Sequence, residues 1–184
     1  MKLPIWITDL PKINDWDYYY QDLIKQHTKH QYVIKENWSL NNFCIDDPDG
    51  VWDDLYQQFL NKCEELFGPL NILPKNSRKC WLYCSNKDHH LAGIHNHQNT
   101  SMINGVYYFS VPKSSYYEGS LVFYDESKTE ELWVYKPRQQ DLVIFPGFLN
   151  HQPSQSNTVE YRFAVNMEIQ CHVPEAWEVP EHLK

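Results

Sequence analysis

Residues 159–169 alternate along their whole length, and this pattern constrains the fold more than any other part of the chain. Because successive side chains of a strand point to opposite faces of a sheet, it predicts a β-strand with one apolar face. One face carries Val159, Tyr161, Phe163, Val165, Met167 and Ile169, and the other carries Glu160, Arg162, Ala164, Asn166 and Glu168.

Shorter runs with the same character precede this segment, and turn residues such as Glu118-Gly119 and Lys136-Pro137 separate several of them. Two amphipathic helices come first. Asn14 can cap one that starts near Trp16, and Gly68-Pro69 ends one whose apolar face runs from Trp52 to Phe67. Helices followed by closely spaced strands predict an α+β domain with a sandwich or jelly roll of antiparallel sheets. The predicted strands are Cys80–Cys84, Ile103–Val111, Ser120–Asp125, Glu131–Tyr135, Asp141–Phe145 and Val159–Ile169.

Composition restricts the partners of the chain. Its 184 residues suit a single domain, and a net charge of −8 without a basic stripe argues against nucleic acid. The five cysteines are odd in number and contain no C-x-x-C, which favours a reducing cytoplasm over a disulfide framework. No segment has the roughly 20 apolar residues of a membrane helix, so we expect no membrane partner.

Three histidines form the strongest chemical pattern. His95 and His97 are an H-x-H pair, which a strand presents on one face, and His151 follows the apolar run Asp141–Phe145. Imidazole suits iron, zinc, copper or nickel better than calcium or magnesium, which prefer oxygen ligands. The pattern predicts a transition-metal site in a β-rich domain.

The sequence around these histidines resembles the 2-oxoglutarate/Fe(II)-dependent oxygenase superfamily, in particular small oxygenases related to prolyl hydroxylases. The resemblance covers roughly residues 78–170 and implies a double-stranded β-helix (jelly roll) there, with residues 1–77 as N-terminal helical support and 171–184 as an irregular tail. The motifs that carry it are I-H-N-H-Q-N-T-S-M-I-N-G-V-Y-Y-F-S-V-P (94–112), G-S-L-V-F-Y-D (119–125), D-L-V-I-F-P-G-F-L-N-H (141–151) and Y-R-F-A-V-N (161–166).

The resemblance also implies roles for single residues. His95 and His151 match the two iron-binding histidines, and Arg162 matches the basic residue that receives the far carboxylate of the cosubstrate 2-oxoglutarate. Tyr108 matches a tyrosine that hydrogen-bonds the same carboxylate, while Tyr83 could reach the cosubstrate and Asn166 shares the face of Arg162. The implied activity is that of an oxidoreductase that uses Fe(II), 2-oxoglutarate and molecular oxygen. The resemblance favours hydroxylation of an unknown substrate, either a protein residue or a metabolite.

One departure from the family pattern affects the metal site. Most of these oxygenases have H-x-D or H-x-E, whereas neither motif occurs in this chain and His97 takes the place of the carboxylate. Our hypothesis is a three-histidine site, and the alternative is that Asp125 or Glu118 is the third ligand. Histidine would also fill the space that halogenating relatives leave for halide, which favours hydroxylation.

Two other functions fit parts of the sequence. The segment 141–151 resembles the second cupin motif, and three-histidine iron sites that do not use 2-oxoglutarate occur among cupins. However, the first cupin motif expects a glutamate where Met102 stands. A metal-free β-sandwich that serves as a binding module is the alternative outside enzymes. For the primary substrate, the loops 87–93 and 112–119 are the candidate recognition segments.

Overall fold

The computed structural model describes residues 3–32, 42–73, 78–89, 92–98 and 102–172. The predicted irregular tail lies almost wholly outside these residues. In chain order the elements are β1 (Trp6–Asp9), α1 (Trp16–Tyr32), β2 (Asn42–Cys44), α2 (Val51–Phe67), β3 (Arg78–Ser85), β4 (Ile103–Ser110), β5 (Leu121–Tyr124), β6 (Glu131–Tyr135), β7 (Asp141–Pro146), β8 (Asn150–Pro153) and β9 (Arg162–Ile169).

The strands form two facing antiparallel sheets. The main sheet has six strands in the order β1-β7-β4-β9-β3-β2, and the second sheet has three in the order β6-β5-β8. In the centre of the main sheet, Val106 of β4 lies between Val143 of β7 and Asn166 of β9. Because the chain crosses repeatedly between the two sheets, the architecture is the α+β jelly roll that the sequence predicted.

The outer face of the main sheet packs against the two helices. Helix α2 buries one side there, and its Gly68 N–H bonds back to the Glu64 carbonyl at 2.9 Å, which closes the helix where the sequence predicted. Trp16 of α1 donates its indole N–H to the Phe109 carbonyl at 3.0 Å. The buried outer-face residues are Cys80, Leu82, Cys84, Ile103, Tyr107, Phe109, Leu142, Ile144, Phe163, Val165, Met167 and Ile169.

The Phe59 ring of α2 packs directly against the backbone of Gly105 in β4. A Cβ atom at position 105 would lie 2.5 Å from Cε2 of the Phe59 ring, well inside van der Waals contact. The ring is fully buried, so it has no free space into which it could move. The missing side chain therefore sets the distance between helix and sheet.

The inner face of the main sheet points toward the second sheet. A smaller apolar cluster fills part of the space between them, formed by Tyr83, Val106, Tyr108, Val143, Phe145 and Ala164 together with Leu121 and Phe123 of β5. The polar residues Arg162, Asn166 and Glu168 alternate with the outer-face residues of β9 and share this inner face. The interior of the jelly roll is thus a mixed environment, whereas the outer face is apolar.

The structure differs from the predictions at several strands. Strands β1 and β2 lie in the part of the chain predicted as helical, and β8 was not predicted at all. The last strand begins at Arg162 instead of Val159, and Val159 is 68% exposed. Its carbonyl accepts a hydrogen bond from Asn86 at 3.4 Å, which draws residues 158–160 into a bend ahead of the sheet.

Neither described helix combines the length and the apolar character that crossing a membrane requires.

Candidate metal centre

Main-chain hydrogen bonds bring the three histidines together. His95 and His151 form a two-way antiparallel bridge, with N···O distances of 3.0 and 2.8 Å. The His97 N–H donates to the Gly147 carbonyl at 2.6 Å, which fixes the second imidazole beside the same turn. Residues 95–97 therefore run beside β8, and the H-x-H pair faces His151 although only His151 lies on a regular strand.

The three side chains form a compact cluster. Each offers one ring nitrogen, and these atoms all lie within 4.8 Å of one another. The ring centroids are 4.4 Å apart for His95 and His151, 5.1 Å for His95 and His97, and 5.2 Å for His97 and His151. Two nitrogens bound to one ion through bonds of about 2.1 Å lie at most about 4.2 Å apart, so the cluster is close to the spacing that a shared ion requires.

Each ring has an oxygen acceptor next to its Nδ1 atom. Nδ1 of His95 lies 2.8 Å from the Gly93 carbonyl, and Nδ1 of His151 lies 2.9 Å from the Leu149 carbonyl. Nδ1 of His97 lies 2.6 Å from Oε1 of Glu168. With the proton on Nδ1 in each case, the lone pair is on Nε2, which is the arrangement that metal-binding histidines use.

Two of the imidazoles are electrostatically disposed to remain neutral. Burial lowers the pKa of His151 well below its ordinary value, and the neighbouring His95 and His97 lower it further. Burial is also the main cause that lowers the pKa of His95. Because a metal ion binds only the deprotonated nitrogen, these shifts keep the ligand form available below neutral pH.

Asp125 and Glu118, the alternative third ligands, are engaged elsewhere. The Asp125 carboxylate accepts the Thr129 and Glu130 N–H groups at 2.7 and 3.0 Å in the β5–β6 turn, and these contacts, led by Glu130, lower its pKa to about 2. Glu118 accepts hydrogen bonds from Asn157 and Ser115. Among the described residues, the cluster that could hold a metal contains the three histidines and neither carboxylate.

Arg162 is a buried cation on the inner face, with only 1% of its surface exposed. Its Nε donates to Ser85 Oγ at 3.2 Å, and its Nη1 donates to the Gly119 carbonyl at 2.5 Å. Across the described ranges, no carboxylate lies within ion-pair distance of this guanidinium. A buried guanidinium with neutral partners is costly, and an anionic ligand would compensate its charge.

The other predicted cosubstrate residues surround Arg162 to different degrees. The Tyr83 ring centroid lies 5.7 Å from the guanidinium carbon. Tyr108 is buried, and the loss of solvent raises its pKa to about 12, so its phenol is a neutral hydrogen-bond donor at pH 7. Asn166 lies farther along β9, where its amide is near the Trp81 and Ala164 carbonyls at 3.5 and 3.4 Å.

Sequence reasoning missed two charged residues of this region. Glu168 was read only as part of the strand alternation, yet it is 1% exposed and contacts His97. Lys136 was read only as a turn residue, yet its Nζ donates to Ser114 Oγ and to the Ser115 and Glu118 carbonyls. Lys136 binds the Glu118 carbonyl and Arg162 binds the carbonyl of the next residue, Gly119, so a second cation lies near the guanidinium. Burial and then the charge of Arg162 lower the Lys136 pKa.

The donor set fits a first-row transition metal. Three neutral imidazoles with oriented lone pairs suit iron, zinc, copper or nickel, whereas magnesium and calcium require oxygen donors. Three protein ligands also leave coordination positions free for exogenous molecules, as catalytic metal sites do. Fe(II) is therefore compatible with these residues.

Comparison with known families adds an independent observation. Residues 79–168 match the family described as "Putative 2OG-Fe(II) oxygenase". This segment begins in β3, ends at Glu168 and includes all three histidines and Arg162. The sequence has no significant match among curated proteins.

Several solved structures share the fold. A Trichoplax adhaerens prolyl hydroxylase, solved with a hypoxia inducible factor peptide fragment, has a TM-score of 0.60 at 14% identity, covering 90% of this chain and 83% of its own. A Pseudomonas putida prolyl-4-hydroxylase has a TM-score of 0.57 at 13% identity, covering 90% and 91%. HygX from Streptomyces hygroscopicus, solved with nickel and 2-oxoglutarate, has a TM-score of 0.57 at 10% identity, covering 95% and 84%.

Proposed function

We propose that this chain, whose residues 79–168 match the 2OG-Fe(II) oxygenase family, is an Fe(II)- and 2-oxoglutarate-dependent hydroxylase. One observation carries the proposal. The inner side of the jelly roll holds both a cluster of three imidazole donors and the buried Arg162, whose positive charge has no carboxylate partner among the described residues. The first is suited to a metal and the second to an anionic cosubstrate.

His95, His97 and His151 would hold the iron through their Nε2 atoms. Bound Fe(II), with 2-oxoglutarate and molecular oxygen, supplies the oxidising chemistry that converts a C–H bond to an alcohol while the cosubstrate becomes succinate and carbon dioxide. The protein residues orient the three imidazoles and keep those of His95 and His151 neutral. The third imidazole would also fill the space that halogenating relatives leave for a halide, which favours hydroxylation.

Arg162 and Tyr108 would bind the far carboxylate of 2-oxoglutarate. Arg162 donates to the Gly119 carbonyl, while Phe123, four residues later, is paired with the metal-site residue His151. Four residues of extended chain span at most about 13 Å, so one short stretch of chain connects the two halves of the site. Lys136 adds a second positive charge near the Arg162 end of that stretch.

We expect the primary substrate to contact residues 112–119 and the described part of the predicted segment 87–93, which is residues 87–89 and 92–93. Gly93 accepts the Nδ1–H of His95, and Gly119 accepts a guanidinium N–H of Arg162, so each loop is tied to one half of the site. Tyr116 is 68% exposed in the second loop. The peptide in the Trichoplax structure makes a protein residue the first substrate class to test, and small metabolites the second.

An anaerobic titration tests the cosubstrate site. Protein loaded with Fe(II) is titrated with 2-oxoglutarate, and wild type is compared with Arg162→Ala. We expect the variant to retain iron and to bind 2-oxoglutarate at least about 30-fold more weakly, since a buried charge pair contributes 2–5 kcal/mol. Arg138→Ala is the matched control because its side chain is 82% exposed.

A succinate-release screen against peptides and metabolites then addresses turnover. If iron binds but Arg162→Ala has wild-type affinity for 2-oxoglutarate, Arg162 does not belong to the site. If wild-type protein binds iron and no 2-oxoglutarate at all, the chain is a three-histidine metal protein of the cupin type instead. If it binds no metal, a metal-free binding module is the better description.

A further inference from the structure

Glu168 is the one carboxylate that contacts the histidine cluster among the described residues. It lies near the end of β9 on the inner face and is 1% exposed, and its Oε1 is 2.6 Å from Nδ1 of His97. A carboxylate removed from water is stabilised only if charged or hydrogen-bonding groups surround it. The His97 imidazole is one of the groups that this carboxylate contacts.

The three histidines differ in what lies behind them. His95 and His151 each face a main-chain carbonyl through Nδ1, which is a neutral acceptor. His97 faces a carboxylate. An imidazole whose N–H is bound by a carboxylate is a stronger electron donor at its other nitrogen, because the hydrogen bond to a charged acceptor is stronger.

His97 is also the residue that replaces the usual metal-binding carboxylate of the family. Three neutral imidazoles leave both positive charges of a divalent ion uncompensated by protein ligands, while a carboxylate ligand would cancel one of them. Glu168 brings a negative charge to the same side of the site, one imidazole farther from the metal.

We propose that Glu168 is a positioning residue that acts through His97. It supplies a negative charge on the Nδ1 side of the His97 ring, in place of the charge that a carboxylate ligand would bring to the metal directly. The inference rests on the proposed function, because it requires a metal at the three histidines. Glu168 holds the His97 proton on Nδ1, directs Nε2 into the cluster and strengthens its bond to the ion.

Two substitutions separate the charge of Glu168 from its ability to accept a hydrogen bond. Glu168→Gln can still accept the His97 N–H but is neutral, whereas Glu168→Leu removes both properties. Co(II) titration, measured by visible absorption, should show binding about 10-fold weaker for Glu168→Gln and about 100-fold weaker for Glu168→Leu. Losses of this size are typical when a residue that contacts a metal ligand is replaced. Glu160→Gln, the same charge change at an exposed residue near β9, should leave the affinity unchanged.

A second background distinguishes this role from a structural one. In His97→Asp, the carboxylate ligand is restored, so the charge of Glu168 is no longer needed and lies next to another carboxylate. Adding Glu168→Gln there should leave Co(II) affinity unchanged or increase it. A residue that only maintains the fold would weaken binding by the same factor in both backgrounds, and that result would overturn the proposal.

A measurement on the unmodified protein covers the case in which a variant does not fold. In the Zn(II)-loaded chain, the exchangeable Nδ1 proton of His97 should resonate farther downfield than those of His95 and His151, because its acceptor is charged. Equal shifts would contradict the inference. If wild type binds no metal, the proposed function fails as well, but if it binds metal and the Glu168 variants match it, only the inference fails.

Discussion

The two faces of β9 show how differently one strand can be used. On the outer face, Phe163, Val165, Met167 and Ile169 are fully buried against the helices, and they need only be apolar and of suitable volume. On the inner face, Arg162 and Glu168 are each only 1% exposed, and each depends on particular partners. The outer face stabilises the domain, whereas the inner face holds groups that cost stability.

The cost on the inner face is physical. Buried charges are favourable only when their partners are well placed, and replacing them with apolar residues often leaves a protein as stable or more so. A strand selected for stability alone would therefore not carry an arginine and a glutamate at these two positions. The contrast predicts that substitutions on the inner face change ligand binding and that substitutions on the outer face change the free energy of unfolding.

The largest effect is expected at the metal site. His151→Ala removes a buried ligand, so metal affinity should fall on the order of 1000-fold or more. The loss should exceed the roughly 10- to 100-fold fall in affinity that follows replacement of a residue bonded to a metal ligand. Calorimetric titration with Ni(II) or Co(II) measures this directly. His172→Ala is the control, because His172 is an exposed histidine away from the cluster. Comparable loss in both variants would mean that metal binding is not specific to the cluster.

A smaller effect is expected on the outer face. In Gly105→Ala, the new methyl group would overlap the Phe59 ring, so we expect the free energy of unfolding to fall by about 1–3 kcal/mol with metal affinity retained. Urea denaturation of the metal-free protein measures the change. Phe59→Leu in the same chain should restore part of the loss, because the smaller side chain makes room for the methyl group. If Gly105→Ala weakened metal binding as much as stability, the two faces would not be separable.

The smallest effect concerns pH. The pKa of His151 lies well below its unfolded value of 6.5 and that of His95 is also lowered, so the unfolded chain binds more protons than the native one just below pH 6.5. Metal-free protein should therefore lose stability as the pH falls from 7.5 to 5.5, seen as a lower urea midpoint. His151→Gln should reduce this dependence. The lowered pKa of Asp125, about 2, acts only in more acidic solution and does not mask the trend.

Much of the scaffold could be predicted because its signals are local. The alternation along β9 and the apolar stripe of α2 each follow from the repeat of a single element. The order of the motifs also indicated the jelly roll and the family, both of which are confirmed. The short strands β1 and β2 were missed because four or three residues hold too little pattern, and their pairing depends on the edges of the main sheet.

The site was only partly accessible to sequence reasoning. The spacing of His95, His97 and His151 gave a reason to expect that they converge, and the structure brings them together. Their metal-binding role and the cosubstrate roles of Arg162 and Tyr108 stay predictions. Nothing in the local sequence distinguished Glu168 from the exposed Glu160, because the difference lies in the partner across the fold.

The sequence by itself determined the two helices and the longer strands, which side of β9 is apolar and which residue types are available for chemistry, because these follow from the repeat of each element and from the side chains themselves. Only the tertiary structure decided that a carboxylate stands behind His97, that a second cation lies near Arg162, and that Asp125 and Glu118 are held in turns. Such contacts join residues far apart in the chain, and their chemistry depends on burial and distance, which exist only once the sheets have closed on each other.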